Sequence, residues 1–209
     1  MRPSEQLTVS SARGVPAAEE ATAPRSDRRI PGVPELWALF GLDVANFTLL
    51  FAAFLLARAQ APATFATGHA LLDPTRGGID TLLLLTSSWF AANALHAARN
   101  GRREHVRGWV GGTALGAAIF VALKASEYTG VIEHGINIGT DLFFQYYFLI
   151  TGLHLLHVIG GGVIFAIYWL RLRDPARALT VRWFETATLY WHVVDVLWIV
   201  IFPLLYLLK

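Results

Sequence analysis

Five long apolar runs dominate the chain. They cover roughly Leu36–Ala57, Ile79–Ala98, Val106–Tyr128, Leu142–Leu170 and Thr186–Leu208, separated by short polar connections. Each run is at or above the ~20 residues that an α-helix needs to cross a bilayer. The pattern predicts an all-α fold: a polytopic membrane helix bundle of five transmembrane helices, occupying residues 31–209. The fourth run is longer than a bilayer requires, so tilt or projection from the membrane is expected there. Residues 1–30 read differently. They are rich in Ala, Pro, Ser, Arg and Glu and hold no apolar run, which predicts a disordered tail rather than a cleavable signal. Ile30-Pro31-Gly32-Val33-Pro34 separates the tail from the first span.

Composition agrees with a membrane protein. Only 15% of the residues are charged against about a quarter in soluble domains, while 55% are hydrophobic. Cysteine is absent, which excludes disulfides, cysteine-bound zinc and iron–sulfur clusters. The net charge of +2 is too small for a nucleic-acid surface, and the arginines instead mark topology. Arg2, Arg13, Arg25, Arg28 and Arg29 lie in the tail, Arg99, Arg102, Arg103 and Arg107 around the second connection between spans, and Arg171, Arg173, Arg177 and Arg182 around the fourth. With five spans all of these share one side, leaving Arg58, Arg76 and Lys209 on the other. The positive-inside rule then places the N-terminus in the cytoplasm and the C-terminus outside.

Ionisable groups within a span cost about 2.5–3.5 kcal/mol each on insertion scales, so each needs a reason. Asp43 and Asn46 share a face of the first span. Lys124 and Glu127 sit near the outer end of the third, where a local ion pair is expected. Tyr147, Thr151, His154 and His157 line one face of the fourth, and Glu185, His192 and Asp195 one face of the fifth. The histidine pair is open to two readings, metal or haem ligation and a hydrogen-bonded contact between helices. No Glu-x-x-His of the di-iron type occurs in the chain. Asp43, Glu127 and Asp195 are open to a proton relay or to interhelical pairing. One specific expectation is a seam in which Asp195 and His192 meet His154 and His157 across a helix interface. Walker loops, Gly-x-Ser-x-Gly elbows and dinucleotide fingerprints are absent, and no repeat is evident.

The stretches Leu123-Lys-Ala-Ser-Glu-Tyr128, Phe143-Phe144, Thr151-Gly-Leu-His-Leu-Leu-His-Val158 and Glu185-Thr-Ala-Thr-Leu-Tyr-Trp-His-Val-Val-Asp-Val-Leu-Trp198 resemble subunit III of the haem–copper oxidases in order and spacing. The resemblance spans Leu36 to Lys209. It implies a non-catalytic subunit in a bacterial inner membrane, with no cofactor of its own. Haem and metal are expected in a partner catalytic subunit, and structural phospholipid in this one. Arg171 and His96 match family positions at the cytoplasmic side, and Arg171 is expected to hold a lipid headgroup. His105 also falls on a family-like position. Asp43 stands where the family usually has Glu, and the chain lacks the first two helices of seven-helix members. Together with the run Asp80-Thr-Leu-Leu-Leu-Leu-Thr-Ser-Ser-Trp-Phe90, these departures resemble the nitric-oxide-reductase accessory branch. The expectation is therefore an accessory subunit of a nitric oxide reductase in denitrification. The alternatives are subunit III of a terminal cytochrome c oxidase and an independent transporter or proton-conducting protein.

Overall fold

A computed structural model describes residues 33, 36–174 and 179–208. The expected tail, most of the Pro-rich junction, Arg177 and Lys209 lie outside them. Among the described residues there are six α-helices: α1 (Leu36–Gln60), α2 (Pro62–Ala70), α3 (Pro74–Arg99), α4 (Arg103–Glu133), α5 (Leu142–Arg171) and α6 (Val181–Phe202). A π-helical turn at Pro203–Leu207 continues α6. Proline 203 removes a backbone donor, and the chain closes the wider turn with Leu208 N–H donating to the Pro203 carbonyl at 2.9 Å.

The ends of the helices follow from local chemistry. Asp73 and Asp141 cap α3 and α5 by accepting from the backbone N–H of Thr75 and Phe144, both at 2.9 Å. Gly101 and Gly135 adopt φ of 68° and 76°. Each closes a paired C-terminal motif: Arg102 N–H reaches the Ala97 carbonyl, and Ile136 N–H the Val131 carbonyl. The short helix α2 was not expected. It begins at Pro62, whose fixed φ suits a first helical position. Nine residues of mixed polarity leave no apolar period to read.

Helices α3 and α6, α4 and α5, and α1 and α5 pack antiparallel, whereas α1 and α6 start at the same end, and cross-helix contacts give the register. Thr81, Ser88 and Arg99 of α3 meet Trp198, His192 and Glu185 of α6 in that order. On α4 and α5, Glu127 meets Tyr147 and Tyr128 meets Thr151. On α1 and α5, Asp43 faces His157, and Phe54 packs on Phe143 and Tyr146. Two glycines show how closely the long helices approach. A Cβ at Gly116 would lie 2.8 Å from the Ser87 Cβ, and one at Gly161 2.6 Å from the Trp191 ring.

The outer surface is apolar: Leu49, Leu56, Leu82, Leu115 and Leu156 are exposed, while Asp80, Lys124, Glu127, His154 and Asp195 are buried. That inversion suits a lipid solvent. Among the described residues, four helices are long and apolar enough to cross a membrane: α1, α4, α5, and α6 continued to Leu207. Helix α3 is of comparable length but more polar, carrying Asp80, Ser87, Ser88, Asn93 and His96.

Candidate functional site

The most heavily charged buried site lies where α3, α4, α5 and the π-helical turn converge. Lys124 is fully buried. Its Nζ donates to Glu127 Oε2 at 2.7 Å and to Tyr206 Oη at 3.1 Å, and sits 2.9 Å from Asp80 Oδ2. Glu127 Oε1 accepts from Tyr147 Oη at 2.8 Å and from Tyr206 Oη at 2.6 Å. The Trp198 ring centroid is 4.6 Å from the ammonium, a cation–π contact from α6. The sequence reading placed Lys124 and Glu127 in a local pair near the interface. The pair exists, but it is buried and shared with Asp80, Tyr147 and Tyr206. Charge pairing explains the burial, because an ammonium in a low-dielectric interior needs carboxylate partners.

The sequence singled out Asp80 only as the start of the Asp80–Phe90 run, and it did not point to Tyr206 at all. One signal was available for Asp80. It and Lys124 stand at nearly equal distances on either side of the turn at Gly101, so antiparallel packing brings them to one depth. Tyr206 carried no signal, since its reach depends on the π-helical turn.

Asp43 and His157 form a second site, with Oδ1 and Nε2 3.6 Å apart. His157 Nδ1 lies 2.8 Å from the Leu153 carbonyl, to which it donates. Nδ1 is thus occupied, and Nε2 is the ring atom that faces the Asp43 carboxylate. Phe47 packs edge-on against the imidazole at 5.6 Å, and Tyr190 Oη donates to the His157 carbonyl at 3.1 Å.

The expected α5–α6 seam takes a different form. His192 turns to α3, its Nδ1 2.6 Å from Ser88 Oγ. His154 is fully buried between Phe120 and Trp198, with ring centroids 5.7 and 5.1 Å away, and makes no hydrogen bond among the described residues. Asp195 is buried and likewise makes none. Helical spacing correctly put these residues inside the bundle. It could not choose their partners, and His157 goes to α1 while His192 goes to α3.

At the opposite, arginine-rich end, Arg99 pairs with Glu185. Arg103 Nη2 donates to the Asp174 carbonyl at 3.0 Å, and Val33 N–H to Thr186 Oγ1 at 2.9 Å. The connections around Gly101 and Asp174 therefore gather at the end where α1 begins. Arg171 is exposed at the end of α5. His96 Nε2 lies 2.9 Å from Asn100 Nδ2. Arg107 and Arg173 flank the Trp169 ring at 5.3 and 4.4 Å. Among the described residues no group of three or more His, Asp or Glu side chains could hold a metal ion.

The sequence of these helices matches a known family. The model described as cytochrome c oxidase subunit III covers residues 39–209. The chain is 36% identical over 186 residues to cytochrome c oxidase subunit 3 of Synechocystis sp., covering 85% of this chain and 78% of that protein. It is 32% identical over 173 residues to the protein of the same name from Corynebacterium diphtheriae, covering 80% and 83%. Quinol oxidase subunit 3 of Bacillus spizizenii is 32% identical over 175 residues, covering 82% and 84%. The chain belongs to the cytochrome c oxidase subunit III family. It is an all-α protein with several membrane-spanning helices.

Proposed function

We propose that the chain is subunit III of a haem–copper terminal oxidase, a non-catalytic partner of the subunit that binds haem and copper. The observation that carries this reading is the match along nearly the whole helical region to relatives named as cytochrome c and quinol oxidase subunits. The nitric-oxide-reductase branch expected from the Asp80–Phe90 run draws no support from these names. Within that run, Asp80 has a local explanation as a partner of Lys124. The buried polar groups serve to join helices, and the chain itself supplies no redox centre.

In this reading α3 is a fifth span. Its 26 residues extend about 39 Å at 1.5 Å per residue, beyond a ~30 Å hydrocarbon core. Its polar residues Asp80 and Ser87 face the protein, while Ile79, Leu82, Leu85 and Trp89 are exposed for lipid. The arginine-rich end is cytoplasmic, in a bacterial inner membrane. Arg171 and His96 meet an anionic phospholipid there, the guanidinium pairing with phosphate as Lys cannot. Arg171→Ala is expected to lose co-purifying anionic lipid in native mass spectrometry while keeping the fold.

The test of the functional reading is deletion of the gene, followed by consumption assays on isolated membranes. Loss of cytochrome c- or quinol-supported oxygen uptake, restored by the intact chain, is expected. Unchanged oxygen uptake with lost nitric oxide reduction would overturn the reading in favour of a nitric oxide reductase.

A further inference from the structure

The buried charge site is unbalanced and open to the outside. Two carboxylates, Asp80 and Glu127, flank one ammonium, Lys124. Two cavities meet this site from the arginine-poor end of the bundle. One, of about 270 Å³, is lined by Arg76, Ile79, Asp80, Leu123, Ser126 and Glu127. The other, of about 360 Å³, includes Arg76, Glu127, Gly130 and His134 in its wall. Both place charged side chains in a largely apolar wall, and both are many times larger than a water molecule needs. The groups facing the site from every packed element are few. Helix α3 contributes Asp80 and, at the rim, Arg76, whose Nε lies 3.8 Å from Asp73 Oδ2. Helix α4 contributes Lys124, Glu127 and Tyr128, helix α5 Tyr147 and His154, and the π-helical turn Tyr206. His134, in the wall of the larger cavity, is turned to the Gly130 carbonyl at 2.7 Å. Among the described residues the guanidinium at the rim, Arg76, is thus set against Asp73, and the two buried carboxylates share a single buried ammonium.

Hydrogen bonding decides which carboxylate can give up its charge. Glu127 accepts from three donors, Lys124, Tyr147 and Tyr206, an arrangement that fixes it as an anion. Asp80 faces the ammonium with Oδ2 alone, and it lines the smaller cavity. We propose that Asp80 is a proton-binding site, holding one exchangeable proton that reaches it through these cavities from the arginine-poor aqueous side. The proton belongs on Oδ1, because Oδ2 faces Lys124. The exchange is a simple acid–base step: water in the cavity delivers a proton to the carboxylate and takes it back, while Lys124 stays an ammonium and Glu127 a carboxylate. The site does not depend on which oxidase the chain serves.

Infrared difference spectroscopy on the full chain, purified with whatever assembly it belongs to, tests this. The wild type is expected to show a carboxylic-acid carbonyl band that shifts when H₂O is replaced by D₂O and fades at alkaline pH. Asp195 is a second buried carboxyl with no hydrogen bond among the described residues, so the band is read in the Asp195→Asn background, where Asp80→Asn removes it and Asp43→Asn leaves it in place. Lys124→Met takes away the only ammonium, so Glu127 also takes a proton and the band about doubles. If Lys124→Met does not assemble, Asp80→Asn decides alone. It exchanges a neutral acid for a neutral amide and is expected to assemble at the wild-type level. Failure of Asp80→Asn to assemble would show that Asp80 is needed as an anion and would overturn the proposal. So would a band that survives Asp80→Asn in the Asp195→Asn background, or one that ignores D₂O.

Discussion

Replacing Tyr206 by Phe removes one hydroxyl from the buried charge site and almost no volume. That hydroxyl donates to Glu127 Oε1 and accepts from Lys124 Nζ, so two interhelical hydrogen bonds are lost together. Such bonds average about 0.6 kcal/mol in membrane proteins, with a ceiling of roughly 1.7. Tyr206→Phe should therefore destabilise the bundle by about 1.2 kcal/mol. Tyr147→Phe removes a single bond to the same Glu127 oxygen and should cost about 0.6 kcal/mol. The double variant should cost more than both singles combined. With both hydroxyls gone, Glu127 keeps only the Lys124 donor for its buried charge, and neighbours sharing one acceptor are not additive. Reversible unfolding of the full chain in mixed micelles, titrated with denaturing detergent, measures all three. The reasoning is refuted if Tyr206→Phe costs no more than Tyr147→Phe, or if the two effects simply add.

Gly161→Val should cost about 1–3 kcal/mol through overpacking, because its Cβ would press on the Trp191 ring at 2.6 Å. Gly152→Ala, whose Cβ would find Tyr128 Oη at an ordinary 3.8 Å, should be milder in the same unfolding assay. Burial, and secondarily the Arg58 charge, hold the His69 imidazole below its ordinary 6.5. The unfolded chain therefore binds the extra proton first. His69 contributes stability that is present above about pH 6.5 and is lost as pH falls from there toward the lower folded-state value. His69→Gln should flatten that part of the stability–pH curve, and an unchanged slope would exclude this cause. Since the chain has no cysteine, single cysteines at Arg102 and Glu133 can be labelled cleanly. In right-side-out vesicles an impermeant maleimide should reach the Glu133 position and miss the Arg102 position.

The long helices were legible because a bilayer imposes a length and a polarity that the sequence carries openly. All five apolar runs lie on helices, except that the fifth closes in the π-helical turn at Leu207, one residue short of its expected end. Helix α2 was not legible, being too short to show a period. The polar residues divide in the same way. Helical spacing placed His154 and Asp195 inside the bundle, where they are. Partner choice depends on neighbouring helices, and it sent His192 to Ser88 and His157 to Asp43 rather than to one seam. Lys124 was read as an interfacial residue because it lies near the end of its apolar run. Its burial follows from α3 carrying Asp80 to the same depth, and from Pro203 starting the turn that delivers Tyr206. The family was legible from the motifs of α4, α5 and α6. The nitric-oxide-reductase branch suggested by the Asp80–Phe90 run draws no support from the relatives' names, and within that run Asp80 faces Lys124.

The most direct test of the account is to purify the tagged chain from its native membranes under mild detergent and record what comes with it. A stoichiometric catalytic subunit is predicted, with a reduced-minus-oxidised haem spectrum and oxygen reduction driven by cytochrome c or quinol. A chain that purifies alone, or with a complex that reduces nitric oxide and leaves oxygen untouched, would contradict its assignment as subunit III of a terminal oxidase.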